Sequence, residues 1–211
     1  MTSVNRLDYY GALIVDRNGN YYTKDEWIDL GLENNDADGV AISDNTHRFI
    51  LSKKNLPKFG VWGTSGTLIG GVVTSDDALV AQQDFAGKAN TDVIAKALPD
   101  SFAAKLAGRN DFPSGKTGYC AALGEWNIIG GKRSYINQLL NTIGADELFY
   151  NSNSCDYFST TQYNAYRLWI AHFGANVELE MGYKDSEYFM RPLAAISEEM
   201  SPTPIGNLEI V

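Results

Sequence analysis

Gly115-Lys116-Thr117, inside "PSGKTG", has the closing triplet of a phosphate-binding loop. Such a loop cradles phosphate on backbone N–H groups and needs a glycine five residues before Gly115, where this chain has Asn110. No strand pattern precedes the triplet and no clear helix pattern follows, so nucleotide binding is not expected. "NNDADG" comes nearer to a site. Asn34, Asp36, Asp38 and Gly39 fit the first six positions of a calcium-binding EF-hand loop, but the closing bidentate Glu is replaced by Asn45. Its flanks have strand character, so a polar turn is expected instead. His47 and His172 are the only histidines, far apart and in no zinc-like spacing. There is no Gly-x-Ser-x-Gly elbow, and nothing selects a catalytic pair among the many carboxylates. The expectation is a protein that is not an enzyme and takes no cofactor or metal.

The elements that would position any site are bounded by composition. The chain has 211 residues, 44% hydrophobic and 12% aromatic, enough for a real core. A net charge of -9 and a pI near 4.7 argue against nucleic acid and against an anionic membrane surface. No apolar run is long enough to cross a bilayer, and "MTSVNRLDYYGALIV" lacks the apolar stretch of a secretory signal. Cys120 and Cys155 are therefore expected as reduced, buried thiols.

Strand signals come first. "GALIVD" and "YYTKDEWIDL" flank Asn18-Gly19 as a hairpin, and "VAIS" and "RFILSKK" flank a turn at "DNTH". The glycine-rich stretch 60–73 holds Val61, Trp62, Leu68 and Ile69, which suggest a packed loop. Helix patterns follow over "DDALVAQQDF", over "NTDVIAKAL" with Asn90-Thr91 as cap and Pro99 as stop, and over "KRSYINQLLNTIG" with Ser134 as cap. Ile136, Leu139, Leu140 and Ile143 repeat there at helical spacing, and Gly144 ends the run. From Tyr157 the period returns to two in three short strands. Strands, helices, then strands make an α+β chain. Three segments are expected: an N-terminal hairpin or attachment segment over 1–39, a main domain over 40–196, and an extended tail over 197–211.

The order "DFAGKANTDVI", "GEWNIIGGKRSYINQLLNTIGADEL", "YFSTTQYNAYRLWIAHFGANVELEMGYKDSEYFMRPLAAI" resembles the C-type-lectin-fold domains of gut Bacteroidetes and their phages. The same superfold serves the variable proteins of diversity-generating retroelements and the formylglycine-generating enzymes. Gly124 and Trp126 keep that family's helix start, "YFSTT" stands for its "WSST", and "MRPL" for its "VRPV". The lectin calcium motifs and the enzymes' cysteine pair have no counterpart. The resemblance implies a C-type-lectin-like fold with two or more helices against short antiparallel sheets. It also implies a structural role for Arg191 in the closing strand.

On that alignment Leu168, Ile170, Val177, Leu179 and Met181 face the core. Arg167, Trp169, Asn176, Glu178 and Glu180 then point outward, with Tyr163, Asn164, Tyr183 and Lys184 in adjoining loops. Tyr, Trp and Asn on a rigid sheet suit recognition, because aromatics give contact area at little entropic cost. The expected function is a phage virion structural or adhesion protein of fibre type. It would assemble in the host cytoplasm with other virion proteins, as a homo-oligomer (a trimer by preference), and contact a host glycan or protein. The alternative is a cytoplasmic enzyme of the formylglycine-generating superfold.

Overall fold

The computed structural model describes residues 3–56, 60–106, 108–148 and 155–196. The extended tail expected over 197–211 lies outside them. Among the described residues the chain is α+β, with seven α-helices packed on two antiparallel sheets.

The first helix, α1 (Ser3–Tyr10), leads through Gly11 into β1 (Ala12–Asp16), which turns at Asn18-Gly19 into β2 (Tyr21–Tyr22). Gly19 has φ 83°, as the tight turn requires, and the Asp16 carboxylate accepts from the N–H groups of Asn18 and Asn20. The second hairpin strand stops early. Thr23 and Glu26 form a capping box that starts α2 (Lys24–Asp29), and its Trp27 enters the core. The extended strand expected over "YYTKDEWIDL" is therefore a two-residue strand and a helix.

A 3₁₀ turn (Asn34–Asp36) precedes β3 (Ala37–Ser43), which pairs with both β1 and β4 (Arg48–Ser52). The boundary expected at residue 39 falls inside β3. The N-terminal hairpin is thus part of one five-stranded sheet, β2-β1-β3-β4-β8, closed by β8 (Leu193–Ala195). Every residue of β1 and β3 is buried, because this sheet is covered on both faces. Leu7 of α1, Tyr21 and Phe112 cover Leu13, Val15, Ala41 and Ile50. Ile14, Val40, Ile42, Phe49 and Leu51 face the main core.

The helical segment comprises α3 (Ala78–Ala81), α4 (Gly87–Ala97), α5 (Phe102–Leu106), α6 (Leu123–Gly131) and α7 (Arg133–Thr142). In α7, Ile136, Leu139 and Leu140 are buried as their spacing predicts, and Gly144 follows at φ 62°. Two predicted caps are displaced. Ser134 lies inside α7, and α4 starts one turn before Asn90. Asn90 and Thr91 are occupied by tertiary partners. Asn90 Nδ2 donates to the Asp84 carboxylate and to Thr160 Oγ1, and Thr91 Oγ1 accepts from Cys120 N.

The second sheet, β5-β6-β7, consists of β5 (Cys155–Gln162), β6 (Arg167–Phe173) and β7 (Val177–Tyr183). One face gives Tyr157, Ala171 and Phe173 to the main core beside Trp126 of α6. The other gives Phe158, Leu168 and Ile170 to a second core with Trp62, Ile69, Ile94 and Phe102. The glycine-rich stretch before the helices is packed only in part: Trp62 and Ile69 are buried as expected and Val61 is half-buried, whereas Leu68 is exposed with its neighbours 64–67. Both cysteines are buried.

Candidate binding face on the outer hairpin

The motif fragments that suggested small ligands satisfy one another. Asp38, fully buried at the start of β3, accepts from Ser114 N at 2.7 Å and pairs with Lys116 Nζ at 3.4 Å. The lysine of the phosphate-loop fragment thus answers an aspartate of the calcium-loop fragment. Among the described residues no group of three or more His, Cys, Asp or Glu side chains could hold a metal.

A cleft of about 400 Å³ lies beside α4, lined by His47, Phe85, Lys88, Tyr119 and Glu125 among others. Burial is the largest influence on the Glu125 carboxyl and pushes it up to about 8. Both its oxygens are engaged, Oε2 by Ala122 N at 2.7 Å and Oε1 by the Tyr119 hydroxyl at 2.9 Å. Glu125 therefore holds the start of α6 to the chain before it. Nearby, Asp84 accepts from Thr161 Oγ1 at 2.8 Å and from Ala86 N at 3.0 Å. The "DFAGKAN" and "YFSTT" segments that carried the family resemblance meet in this buried network.

The predicted face itself divides. Residue 169 pairs with 181, 167 with 183, 172 with 178 and 170 with 180. Directly opposed residues share a face, so odd positions of both strands lie on one side and even positions on the other. Arg167, Trp169 and Tyr183 lie on one face with Leu179 and Met181. Glu178 and Glu180 lie on the opposite face with His172 and Ile170. The expected grouping joined odd and even positions across the hairpin and cannot be one surface.

Burial corrects two further members. Trp169 is only 5% exposed, packed with Ala81 and Leu123 and edge-on to Tyr163, and its Nε1 donates to Ser75 O at 2.8 Å. Lys184 is fully buried, its Nζ 4.5 Å from the Trp62 ring centre and donating to Thr67 O and Gln162 Oε1. Desolvation pushes its ammonium down to about 8. In the other direction, Met181, expected in the core, is 46% exposed. Leu168 and Ile170 are buried as expected, whereas Val177 and Leu179 are half-buried.

What remains is a smaller, coherent surface at the open end of the hairpin. Tyr183 is 53% exposed, the Arg167 guanidinium lies 4.9 Å from its ring centre, and Arg167 Nη2 reaches its hydroxyl at 3.2 Å. Asn164 Oδ1 accepts from Tyr166 N and Arg167 N, fixing the turn that presents an exposed Tyr166. Tyr163 is half-buried behind it. Asn176 is exposed at the other end, beside a cleft of about 540 Å³ bounded by Asn127, Gly130, Ser134, Val177 and Leu179. On the opposite face His172 Nδ1 lies 2.7 Å from Asp156 Oδ1. That hydrogen bond, reinforced by the charges of Asp156, Glu180 and Glu178, raises the His172 pKa. Tyr166 and Met181 were not predicted. An Asx turn at Asn164 was a readable signal for Tyr166, and the cross-strand register was the missing one for Met181.

The chain is similar in fold to a fimbrial protein. That structure, from Bacteroides ovatus, aligns over 88% of this chain and 48% of its own, with a TM-score of 0.59 and 14% identity. The chain thus spans about half the length of that protein. No protein-family model matches the chain. No curated protein matches it either.

Proposed function

We propose that this chain is a non-enzymatic structural or adhesion subunit of an extracellular assembly, with a C-type-lectin-like domain whose outer hairpin is the contact surface. The observation that carries the reading is the likeness of its fold to a fimbrial protein over most of the chain. The exposed Tyr166, Met181 and Tyr183, with the half-buried Arg167 beside Tyr183, on a hairpin backed by two cores add a rigid, aromatic surface of the kind interfaces use. The assembly we propose is a phage virion, in which the subunit forms homo-oligomers, contacts other virion proteins and meets a host glycan or protein. The fimbrial likeness favours a second reading, a subunit of a bacterial surface filament.

Mass spectrometry of purified particles and of sheared surface filaments separates the two, since the chain should be enriched in one and absent from the other. Absence from both would remove the structural reading. Within the assembly, Tyr183→Ala should reduce incorporation or attachment. A central interface aromatic contributes about 2 kcal/mol or more to binding, roughly thirtyfold in affinity.

A further inference from the structure

The strand β7 is the one long edge left open among the described residues. It has seven residues, whereas the edge strands of the other sheet, β2 and β8, have two and three. The far edge of the second sheet is closed. Phe158 N donates to Phe189 O, Thr160 N to Ala121 O and Gln162 N to Val73 O. In the β6–β7 hairpin, Lys184 N donates to Tyr166 O and Gly174 N to Asn176 O, so the even-numbered residues make the ladder bonds. The odd-numbered residues must then direct N–H and C=O outward, and Tyr183 N accordingly meets the Tyr188 hydroxyl. Among the described residues no hydrogen bond reaches the outward groups of Leu179 or Met181.

This edge carries none of the usual blunting by lysine, proline or bulge. Its side chains are of two kinds. Leu179, Met181 and Tyr183 stand on one face, where Val177 and Leu179 line the 540 Å³ cleft against α6. Glu178 and Glu180, exposed, stand on the other, next to Asp156 and His172. A second copy fits poorly. Antiparallel pairing about Leu179 would set Glu178 opposite Glu180 twice, pairing about Glu180 would oppose that residue to itself, and pairing about Met181 would need Tyr183 N, which already meets the Tyr188 hydroxyl.

From this we infer that β7 accepts an added strand from a different protein, an extended segment alternating lysine or arginine with apolar residues. The basic positions would face Glu178 and Glu180. The apolar positions would continue the Leu179–Met181 surface toward the cleft. Main-chain bonds to Leu179 and Met181 would supply affinity, and the alternating side chains specificity. This inference rests on the reading of the outer hairpin as the contact surface.

The test titrates a capped heptapeptide alternating lysine with valine into the intact chain while amide exchange is followed by NMR. Saturable binding with at least about tenfold slower exchange at Leu179 and Met181 is expected, equivalent to about 1.4 kcal/mol. The Glu178→Lys/Glu180→Lys variant, altered only at exposed positions, should weaken that peptide at least about tenfold and bind a glutamate–valine peptide instead. Met181→Pro removes an outward N–H without touching the β6 ladder, and should abolish the protection at unchanged melting temperature. Binding indifferent to both variants, or protection away from β7, overturns the inference. A dimer of the free chain that Met181→Pro disrupts overturns the choice of occupant. If the peptide results hold while Tyr183→Ala leaves incorporation intact, the contact-surface reading alone fails; if Tyr183→Ala blocks incorporation and the peptide does not bind, only the strand addition fails.

Discussion

Trp169 and Tyr183 stand on the same face of one hairpin, in neighbouring cross-strand pairs, and meet opposite fates. Over β6, α3 and the start of α6 bring Ala81 and Leu123 down onto the Trp169 ring, and the 75–77 turn supplies a carbonyl for its indole N–H. Among the described residues nothing comparable descends over the end of β7, so Tyr183 and Met181 remain about half exposed. Both strands place mostly apolar or aromatic side chains on that face. What differs is the cover, and the cover comes from two earlier segments of the chain, one around Ser75 to Ala81 and one at Leu123.

That contrast can be broken first at Trp169. Trp169→Ala should lower unfolding free energy by about 3–5 kcal/mol, the usual cost of removing a buried aromatic, read by denaturant titration. A loss below about 1 kcal/mol would mean that the cover over β6 is loose. Arg191 extends the comparison to the segment just before β8. It is fully buried, with Nε donating to Ser52 O at 2.6 Å and Nη1 to Asn55 Oδ1 and Asp146 O. Arg191→Ala strands those acceptors and should cost about 2–4 kcal/mol.

Lys184 sharpens the comparison through pH. Its ammonium is pushed down to about 8 in the folded chain, below the value near 10.4 of an unfolded lysine. Between those values the unfolded state holds a proton that the native state has released. Stability therefore gains from Lys184 as pH rises through that window, and the buried charge costs most below it. Subtracting the pH profile of Lys184→Met from that of the wild type should leave this rise; a flat difference would show that the Trp62 ring and the two acceptors offset the desolvation. The smallest effect is expected at the open end. Tyr183→Ala should change stability by no more than about 0.5 kcal/mol, and a larger loss in thermal melts would place that ring in the fold rather than on its surface.

Much of the architecture was readable locally. The Asn18-Gly19 hairpin, the β3–β4 pair, the apolar stripe of α7 and the three late strands follow from turn chemistry and periodicity. The errors have physical causes. Thr23 and Glu26 were read as part of a strand because the apolar residues around them masked a capping box. Asn90 was read as a cap because its side chain seeks hydrogen bonds, and it finds them in Asp84 and Thr160 instead of the helix start. For the candidate face, Arg167, Tyr183 and Asn164 were legible as polar or aromatic positions around a turn. Glu178 and Glu180 were assigned to the wrong side because register is set by pairing, and a change of parity moves a whole strand's side chains to the other face.

The sequence by itself determined the α+β order, the shielding of two thiols, the failure of each ligand motif to close, and the aromatic wealth of the second sheet. Those follow from composition, spacing and turn residues, all of which act over a few positions. Only the tertiary structure decided which aromatics are core and which are surface. It also decided that Asp38 answers Lys116, that Lys184 lies under Trp62, and that β7 keeps an open edge among the described residues. Burial is a property of what arrives from elsewhere in the chain, and the period of a strand cannot say which of its faces will be met.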